Sequence, residues 1–288
     1  MVQNLMDAFL EHLGGKIFLK EIRKEREKYF HDVLRNGKYG QRWSPDLEKV
    51  IKENPLWANM KYYAVERKSR QAVLRWFSEN CKGKKALDYC CGNGDDSFLM
   101  ADCGACEVLG IDLSPVSIDN CRERAAKEGY DKKTSFEVMD AEALELGDNL
   151  FDVASEYGAL HHLTLSKAYS EIARVLKPEG QFICTETLRH NPFIHLYRKK
   201  TPGIRTEWEV EHILRKQDIE MAREYFCDVD ILGCFHLASL AAVPFRNMTG
   251  FSTLLTILET IDSFILRLPF LKWQAWQVVF VLSKPKKP

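Results

Sequence analysis

The chain has 288 residues, of which 45% are apolar and 28% are charged, and its formal net charge at pH 7 is zero. This length and composition suit one large domain with additions and exclude a disordered chain. The neutral charge argues against a nucleic-acid binder, because such proteins present a broad basic field to the phosphates. A folded protein that does not act on nucleic acid is therefore predicted.

Cysteine usage and apolar patterning indicate the compartment. The nine cysteines are an odd number scattered over predicted strands and helices, which is typical of reduced thiols. Cys103 and Cys106 form a single CxxC pair with no second pair at zinc-ligand spacing, so no metal site is expected. Asp7 interrupts the first apolar segment and charges interrupt residues 251–271, so neither a secretory signal nor a membrane-spanning helix is predicted. We expect a cytoplasmic protein.

Residues 1–80 precede the regular strand pattern and are predicted to form a helical extension that caps the rest of the chain. Residues 16–38 hold eight lysines or arginines against four acids. A solvated amphipathic helix explains this pattern, and a basic face for an anionic substrate or a membrane surface is the alternative. The helix predicted over 61–77 begins where it would fold over a ligand, which makes Tyr63 and Arg67 candidate ligand-binding residues.

From residue 84 onward, strand patterns alternate with helix patterns. The first five predicted strands are 84–88, 106–112, 134–139, 151–156 and 181–187. Such alternation predicts a parallel sheet with helices on both faces, the doubly wound α/β class. A polar insertion over 188–215 is followed by a predicted strand over 229–235. A mostly apolar stretch over 237–271 then precedes the last predicted strand, 273–283.

Acids stand at the carboxyl ends of the first three strands, at positions 88, 112 and 140. In an open α/β sheet the ligand lies across these ends. Asp112 follows Gly92 by twenty residues, the placement of an acid that binds the hydroxyls of a ribose. Asp140 and Ala141 are candidates for binding an adenine ring, through a side chain and a backbone N–H. Three acids beside a glycine loop therefore predict an adenosine site.

The glycine loop differs from a dinucleotide-binding fingerprint. Gly92 and Gly94 are followed by Asp95 and Asp96, and the third glycine of the pattern is missing. Two acids at a helix start would repel a pyrophosphate, since a helix N-terminus binds anions through its dipole. The loop therefore favours a cationic ligand such as S-adenosylmethionine over NAD, and a nicotinamide-dependent oxidoreductase is the alternative.

Five stretches together resemble the successive motifs of the class I S-adenosylmethionine-dependent methyltransferases. They follow that family's order and spacing over about a third of the chain. In chain order they are Leu87-Asp88-x-x-Cys91-Gly92-x-Gly94, Gly110-Ile111-Asp112-Leu113-Ser114, Asp140-Ala141-Glu142, Phe151-Asp152-Val153 and Leu176-Lys177-Pro178-Glu179-Gly180.

The resemblance implies a Rossmann-like, mostly parallel seven-stranded sheet whose last strand is antiparallel. Residues 81–288 would form the domain that binds S-adenosylmethionine, with 188–215 and 237–271 as lid or insertions at the acceptor site. By match to the motifs, Asp88, Gly92 and Gly94 would hold the methionine end, Asp112 the ribose, and Asp140 and Ala141 the adenine. Glu156 would line the fourth strand tip, and Cys90 and Leu113 are further candidates for binding the cofactor.

The acceptor half of the site is predicted from the loop after the fourth strand and from the insertion. His161 and His162 are candidate bases, because histidine titrates near neutral pH; a structural role for one of the pair is the alternative. Candidate acceptor-binding residues, which ordinary loop polarity also explains, are Tyr157, Arg189, His195, Arg205, Glu207 and His212.

The expected acceptor is a small, amphipathic molecule. The Asn/Asp-Pro-Pro-Tyr motif of base methylation and the paired glutamates of protein arginine methylation are both missing from the sequence. One alternative is a lipid acceptor at a membrane surface, although peripheral membrane contact is not favoured. The other is a catalytically silent protein that binds S-adenosylmethionine and serves as a partner. Apolar residues at helical spacing over 251–268 predict a core or homodimer face.

Overall fold

The computed structural model of the chain describes residues 16–35, 45–204 and 206–287. Their α-helices are α1 (Lys16–Arg35), α2 (Pro45–Glu53), α3 (Arg67–Asn80), α4 (Asp95–Asp102), α5 (Pro115–Glu128), α6 (Leu165–Val175), α7 (Pro192–Lys200), α8 (Glu207–His212), α9 (Lys216–Glu220) and α10 (Phe251–Ile265). Their strands are β1 (Lys85–Tyr89), β2 (Glu107–Asp112), β3 (Thr134–Val138), β4 (Phe151–Tyr157), β5 (Leu176–Thr187), β6 (Phe226–Phe235) and β7 (Gln277–Pro285). Short 3₁₀ helices include Pro55–Val65, Leu160–His162 and Ser239–Phe245.

The strands form one sheet in the order β3-β2-β1-β4-β5-β7-β6. Strands β1 to β5 pair in parallel, and β7 pairs antiparallel with both β5 and β6. The strand order reverses between β1 and β4, so a crevice opens at the carboxyl ends of these two strands. The predicted fold class, a mostly parallel seven-stranded sheet with an antiparallel last strand, is confirmed.

Alternate residues of the central strands enter two separate cores, one on each face of the sheet. In β7, Val278, Phe280 and Leu282 pack in one core, whereas Val279 and Val281 pack in the other. All five are buried, because helices cover both faces, and such strands form nearly continuous apolar runs. This burial holds the strand tips, and hence the site, on a rigid frame.

The described part of the N-terminal extension lies at the carboxyl edge of the sheet. Leu34 of α1, Leu47 of α2, and Trp57 and Met60 of the following 3₁₀ helix form a small apolar cluster of their own. In contrast, α3 packs its buried face into one of the two sheet cores. The helix α3 is thus packed with the sheet, while the division into an extension over 1–80 and a domain over 81–288 stays a prediction.

The two additions lie beside the same edge. A parallel bridge between Leu188 and Leu214 closes the base of the 188–215 addition. Helix α10 packs Leu255 against Val65, Ala242 and Val243, next to residues that border the crevice. Among the described residues, none of the helices has the length and apolar character that crossing a bilayer requires.

Candidate active site

A cavity of about 510 Å³ lies at the carboxyl ends of the central strands, beneath α1 and the 3₁₀ helix Pro55–Val65. This volume is within the range of about 300–1,000 Å³ typical of small-molecule sites. The cavity is lined at the strand tips by Cys90, Asp112, Leu113, Asp140, Ala141, Tyr157, His161 and His162.

The loop after β1 turns through residues with positive φ, namely Cys90 (61°), Gly92 (53°) and Gly94 (79°). A Cβ on Gly94 would lie 3.0 Å from Cys121 Sγ and from the Phe98 ring, so both backbone and packing require glycine there. Cys90 lines the cavity, whereas the two glycines are not part of its wall. In this structure, Gly92 and Gly94 shape the loop.

Asp112 is fixed at the cavity wall by backbone donors. Its Oδ2 accepts a hydrogen bond from Gly92 N at 2.9 Å, and its Oδ1 accepts one from Ser114 N at 2.8 Å. Leu113 lines the cavity beside it. The carboxylate predicted to bind a ribose therefore also connects the glycine loop to the β2 tip.

The third strand tip brings Asp140 and Ala141 to the same wall. Asp140 Oδ1 accepts a hydrogen bond from Glu142 N at 2.9 Å, and its other oxygen pairs with Lys24 of α1. The hydroxyl of Tyr89 donates to the carbonyl of Ala141, which fixes the backbone of this tip. The ribose and adenine candidates thus lie on one continuous surface.

Asp88 and Glu156 were predicted to bind the cofactor, and the structure places both behind the cavity wall. Asp88 accepts a hydrogen bond from Ser97 Oγ at 2.5 Å, and burial, with Asp96 nearby, raises its pKa well above the usual range. Burial and the neighbouring Glu186 likewise raise the pKa of Glu156. Both acids are buried supports of the loop and the fourth tip in this structure.

The acids that follow the glycine loop are neutralised within the protein. Asp95 pairs with Arg124 at 2.7 Å, and Asp96 pairs with Arg70 at 3.0 Å. Both acids are buried and neither lines the cavity. The repulsion of a pyrophosphate that the sequence suggested is therefore not exerted on a ligand in the cavity.

His161 and Glu186 form a buried pair at the acceptor side. His161 Nδ1 donates to Glu186 Oε2 at 2.6 Å, and Glu186 also accepts from Leu160 N at 2.6 Å. Burial raises the pKa of Glu186, but His161 lowers it by more, so Glu186 is a carboxylate. His161 Nε2 forms no hydrogen bond with the described part of the chain, and its ring lines the cavity. A histidine held in this way can accept a proton at its second ring nitrogen.

His162 forms a second pair, with Glu27 of α1, at a distance of 2.9 Å. Burial raises the pKa of Glu27, but the adjacent His162 brings this pKa down to about 2. Burial lowers the pKa of His162, but Glu27 brings that pKa up to about 9. The two adjacent histidines therefore differ in environment, and His31 of α1 lies next to this second pair.

Helix α1 is attached to the strand tips by polar contacts. Arg23 pairs with Glu142 and donates to Thr164 Oγ1 at 3.1 Å, while Lys24 pairs with Asp140. These two cations point into the protein. They therefore do not contribute to an exposed basic face of the kind considered from the sequence.

Aromatic side chains form much of the remaining wall. Tyr62 packs against Tyr197 of α7 and Trp276, with ring centroids 5.8 Å and 5.4 Å apart. Tyr63 packs edge-on against Tyr157 at 6.4 Å. Of these, Tyr63 and Tyr157 were predicted from the sequence, and the wall is suited to an acceptor with an apolar body.

Many cavity residues were not predicted from the sequence, among them Glu66 and Gln277. Glu66, which is 2% exposed, accepts hydrogen bonds from the Tyr157 hydroxyl and from Gln277 Nε2. Burial raises the pKa of Glu66 despite nearby Arg70. No motif contains Glu66 or Gln277, and no signal in the sequence marked them.

Several predicted positions lie away from the cavity wall. Arg67 pairs with Glu259 of α10. Arg189 donates to the Glu211 carbonyl at 2.7 Å, and the exposed His212 stacks on Trp208 at 3.5 Å. In addition, His195 is not in the lining, and Arg205 and the side chain of Glu207 lie outside the described residues.

Comparison with known proteins identifies the family. A methyltransferase-domain family model matches residues 80–225, half of the chain, so the chain belongs to this family. It is 26% identical over 220 residues to a ubiquinone/menaquinone biosynthesis C-methyltransferase of Brucella abortus, which covers 71% of this chain and 80% of the relative. The protein is an S-adenosylmethionine-dependent methyltransferase of class I, which confirms the predicted enzyme class and excludes the oxidoreductase alternative.

Solved structures share the fold. The geranyl diphosphate C-methyltransferase of Streptomyces coelicolor, solved with Mg²⁺, geranyl diphosphate and S-adenosylhomocysteine, aligns with a TM-score of 0.53 at 13% identity, covering 76% of this chain and 77% of that one. The [4+2]-cyclase SpnF aligns with a TM-score of 0.52 at 21% identity, covering 75% and 80%. Both likenesses concern the fold alone.

S-adenosylmethionine is the cofactor of this family, and the cavity fits it. Asp112 presents a fixed carboxylate beside the glycine loop, and the Asp140–Ala141 tip lies on the same wall. These groups match the hydroxyls of a ribose and the edge of an adenine. The assignment of each residue to a part of the cofactor stays a prediction.

Proposed function

We propose that the protein methylates an amphipathic small molecule whose reacting atom carries a removable proton, with His161 as the general base. The observation that carries this proposal is the buried His161–Glu186 pair, whose histidine ring lines the cavity and whose Nδ1 is engaged by the carboxylate. A base of this kind typically contributes about 10²–10⁴-fold to a rate.

When bound at the strand tips by Asp112, Asp140 and Ala141, S-adenosylmethionine would supply an electrophilic methyl group to the acceptor. His161 Nε2 accepts the proton that the acceptor loses. Glu186 stabilises the resulting imidazolium and keeps Nδ1 protonated. Glu156 lies behind the pair, where burial and the neighbouring Glu186 raise its pKa.

The surroundings of His161 support an acceptor with an apolar body. The wall contains Tyr62, Tyr197, Trp276 and Phe193. The Brucella relative is named for quinone biosynthesis and the Streptomyces neighbour for geranyl diphosphate, both small molecules. The likeness to the Brucella relative supports the acceptor class rather than a particular compound, and the Streptomyces likeness supports the fold alone.

Incubation with methyl-labelled cofactor and a cell extract tests the proposal, with mass spectrometry of the labelled product. We expect a labelled small molecule whose formation requires the protein. An Asp112→Ala variant is the matched control, because it should lose the cofactor. Label in protein or nucleic acid would contradict the acceptor class. The lack of label in every fraction would favour a catalytically silent protein that only binds S-adenosylmethionine.

A lipid acceptor at a membrane surface is the second candidate. Phe193 lines the cavity yet is 82% exposed, and Leu196 on the same helix is 50% exposed. Lys199 and Lys200 at the end of α7 are exposed as well. Apolar side chains beside cations match an anionic lipid surface and would give a lipid direct access to the cavity.

Flotation with phosphatidylcholine vesicles, with or without phosphatidylserine, tests this second candidate. We expect association that needs phosphatidylserine and is lost in Phe193→Glu. Leu74→Glu is the control, because Leu74 is an exposed apolar residue on α3 outside the cavity lining. Absence of association would contradict the lipid candidate, as would a dimer of the wild type in light scattering that Phe193→Glu converts to a monomer.

A further inference from the structure

Three side chains that bind metals elsewhere converge at the acceptor side of the cavity. Glu27 and His31 stand four residues apart on α1, so they share one face of that helix. His162 comes from the 3₁₀ helix after β4. One ligand atom of each, a carboxylate oxygen or a ring nitrogen, lies within 4.8 Å of the other two, and all three residues line the cavity.

The separations are close to those of a coordination sphere. Two ligand atoms bound about 2.1 Å from one ion, at tetrahedral or octahedral angles, lie about 3.0–3.4 Å apart. Here Glu27 Oε2 is 2.9 Å from His162 Nδ1 and 3.8 Å from His31 Nε2. The first separation is about that expected for two ligands of one ion, and the second exceeds the expected range by about 0.4 Å.

The surroundings orient these ligands and carry negative charge. The second oxygen of Glu27 accepts a hydrogen bond from Thr206 Oγ1, and the His162 ring packs against His161 at 4.3 Å. Glu209 also lines the cavity close to His162. Such contacts fix ligand geometry in metal sites.

The cations of the same helix face are engaged by other acids. Arg23 pairs with Glu142, Lys24 with Asp140, and Lys28 with Asp32. Their charge is therefore compensated locally rather than directed at the Glu27 carboxylate.

We propose that Glu27, His31 and His162 form a binding site for a divalent transition-metal ion such as Zn²⁺, Mn²⁺ or Fe²⁺. Two imidazoles and one carboxylate suit this class of ion, and three protein ligands at a cavity leave open positions for a further ligand. The role of the ion, which rests on the proposed function, is to hold an oxygen of the acceptor and to favour its ionised form. Binding of the ion itself requires no acceptor.

Metal titration of the purified protein tests this site without any methyl acceptor. We expect one Zn²⁺ per chain by calorimetry, and Co²⁺ spectra typical of nitrogen and oxygen ligands. His31→Ala and Glu27→Gln should each weaken binding by about tenfold or more, whereas His212→Ala, in an exposed histidine outside the cavity, should not change it. Retained binding of S-adenosylhomocysteine by the variants shows that they are folded.

Equal Zn²⁺ affinity in the wild type and in His31→Ala would overturn the site and leave Glu27 and His162 as an ion pair only. A strong sulfur-to-cobalt band would overturn it too, by placing the ion on cysteine. These outcomes are independent of the proposed function, since labelled product from the extract is measured separately. If Zn²⁺ binds as expected and chelation leaves methyl transfer unchanged, the role in acceptor binding is refuted.

Discussion

Replacing Asp112 with alanine is expected to weaken the binding of S-adenosylhomocysteine severely. The carboxylate is placed to bind the ribose, and it also accepts hydrogen bonds from Gly92 N and Ser114 N. Hydrogen bonds to a charged group contribute about 1.5–3 kcal/mol each, so losing two to a ribose costs about 3–6 kcal/mol. This corresponds to a loss of affinity of about 100-fold to 10⁴-fold, which calorimetry resolves.

Two further variants make the Asp112 result specific. Asp112→Asn keeps one carbonyl acceptor and the shape of the side chain, so we expect a smaller loss than with alanine. Asp119→Ala removes an exposed acid on α5 and should leave affinity unchanged. Wild-type affinity in Asp112→Ala would refute the assignment of the β2 tip to the ribose.

Replacing His161 with alanine should lower kcat by about 10²–10⁴-fold, the usual contribution of a general base. Binding of S-adenosylhomocysteine should remain close to that of the wild type, because the adenosyl candidates belong to other strand tips. Glu186→Gln should also lower kcat, since a neutral amide stabilises the imidazolium less than a carboxylate does. Rates with the acceptor identified from the extract, and calorimetry with the product cofactor, separate the two effects.

His195→Ala is the control for the His161 variants, because His195 lies on α7 outside the cavity lining. Its kcat should match that of the wild type. A His161→Ala enzyme with an unchanged kcat would refute the base assignment. Loss of cofactor binding in the same variant would instead indicate a structural role.

The fold and the adenosyl half of the site were accessible from the sequence for a topological reason. Parallel strands place their carboxyl ends at one edge, so acids that follow successive strands meet in space. Asp112, Asp140 and Ala141 therefore reach one cavity although they are spread over the chain. The glycines were recognised too, but the structure shows them shaping the loop.

The acceptor half was less accessible because it is assembled from distant segments. Glu186 lies in β5, and only the pairing of β5 with β4 brings it to His161. Glu27 reaches His162 across 135 positions of sequence, a contact that no local pattern encodes.

One predicted ligand residue lies outside the cavity, directly after a residue that lines it. Arg67 was predicted as a ligand residue, yet it faces α10, whereas the preceding Glu66 lines the cavity. Side chains one position apart at a helix start point in different directions, so Glu66 reaches the cavity while Arg67 reaches α10. In the same way, the sequence shows Asp95 and Asp96 but not the arginines of α3 and α5 that neutralise them.

The attachment of α1 across the strand tips depends in part on an ion pair that salt can screen. Arg23 and Glu142 are buried, whereas the Lys24–Asp140 pair is partly open to solvent. Partly exposed ion pairs contribute about 1 kcal/mol or less and weaken as salt screens them. Because Lys24 joins α1 to the strand tip predicted to bind the adenine, we expect added salt to loosen this attachment and to shorten the time for which the spent cofactor stays bound.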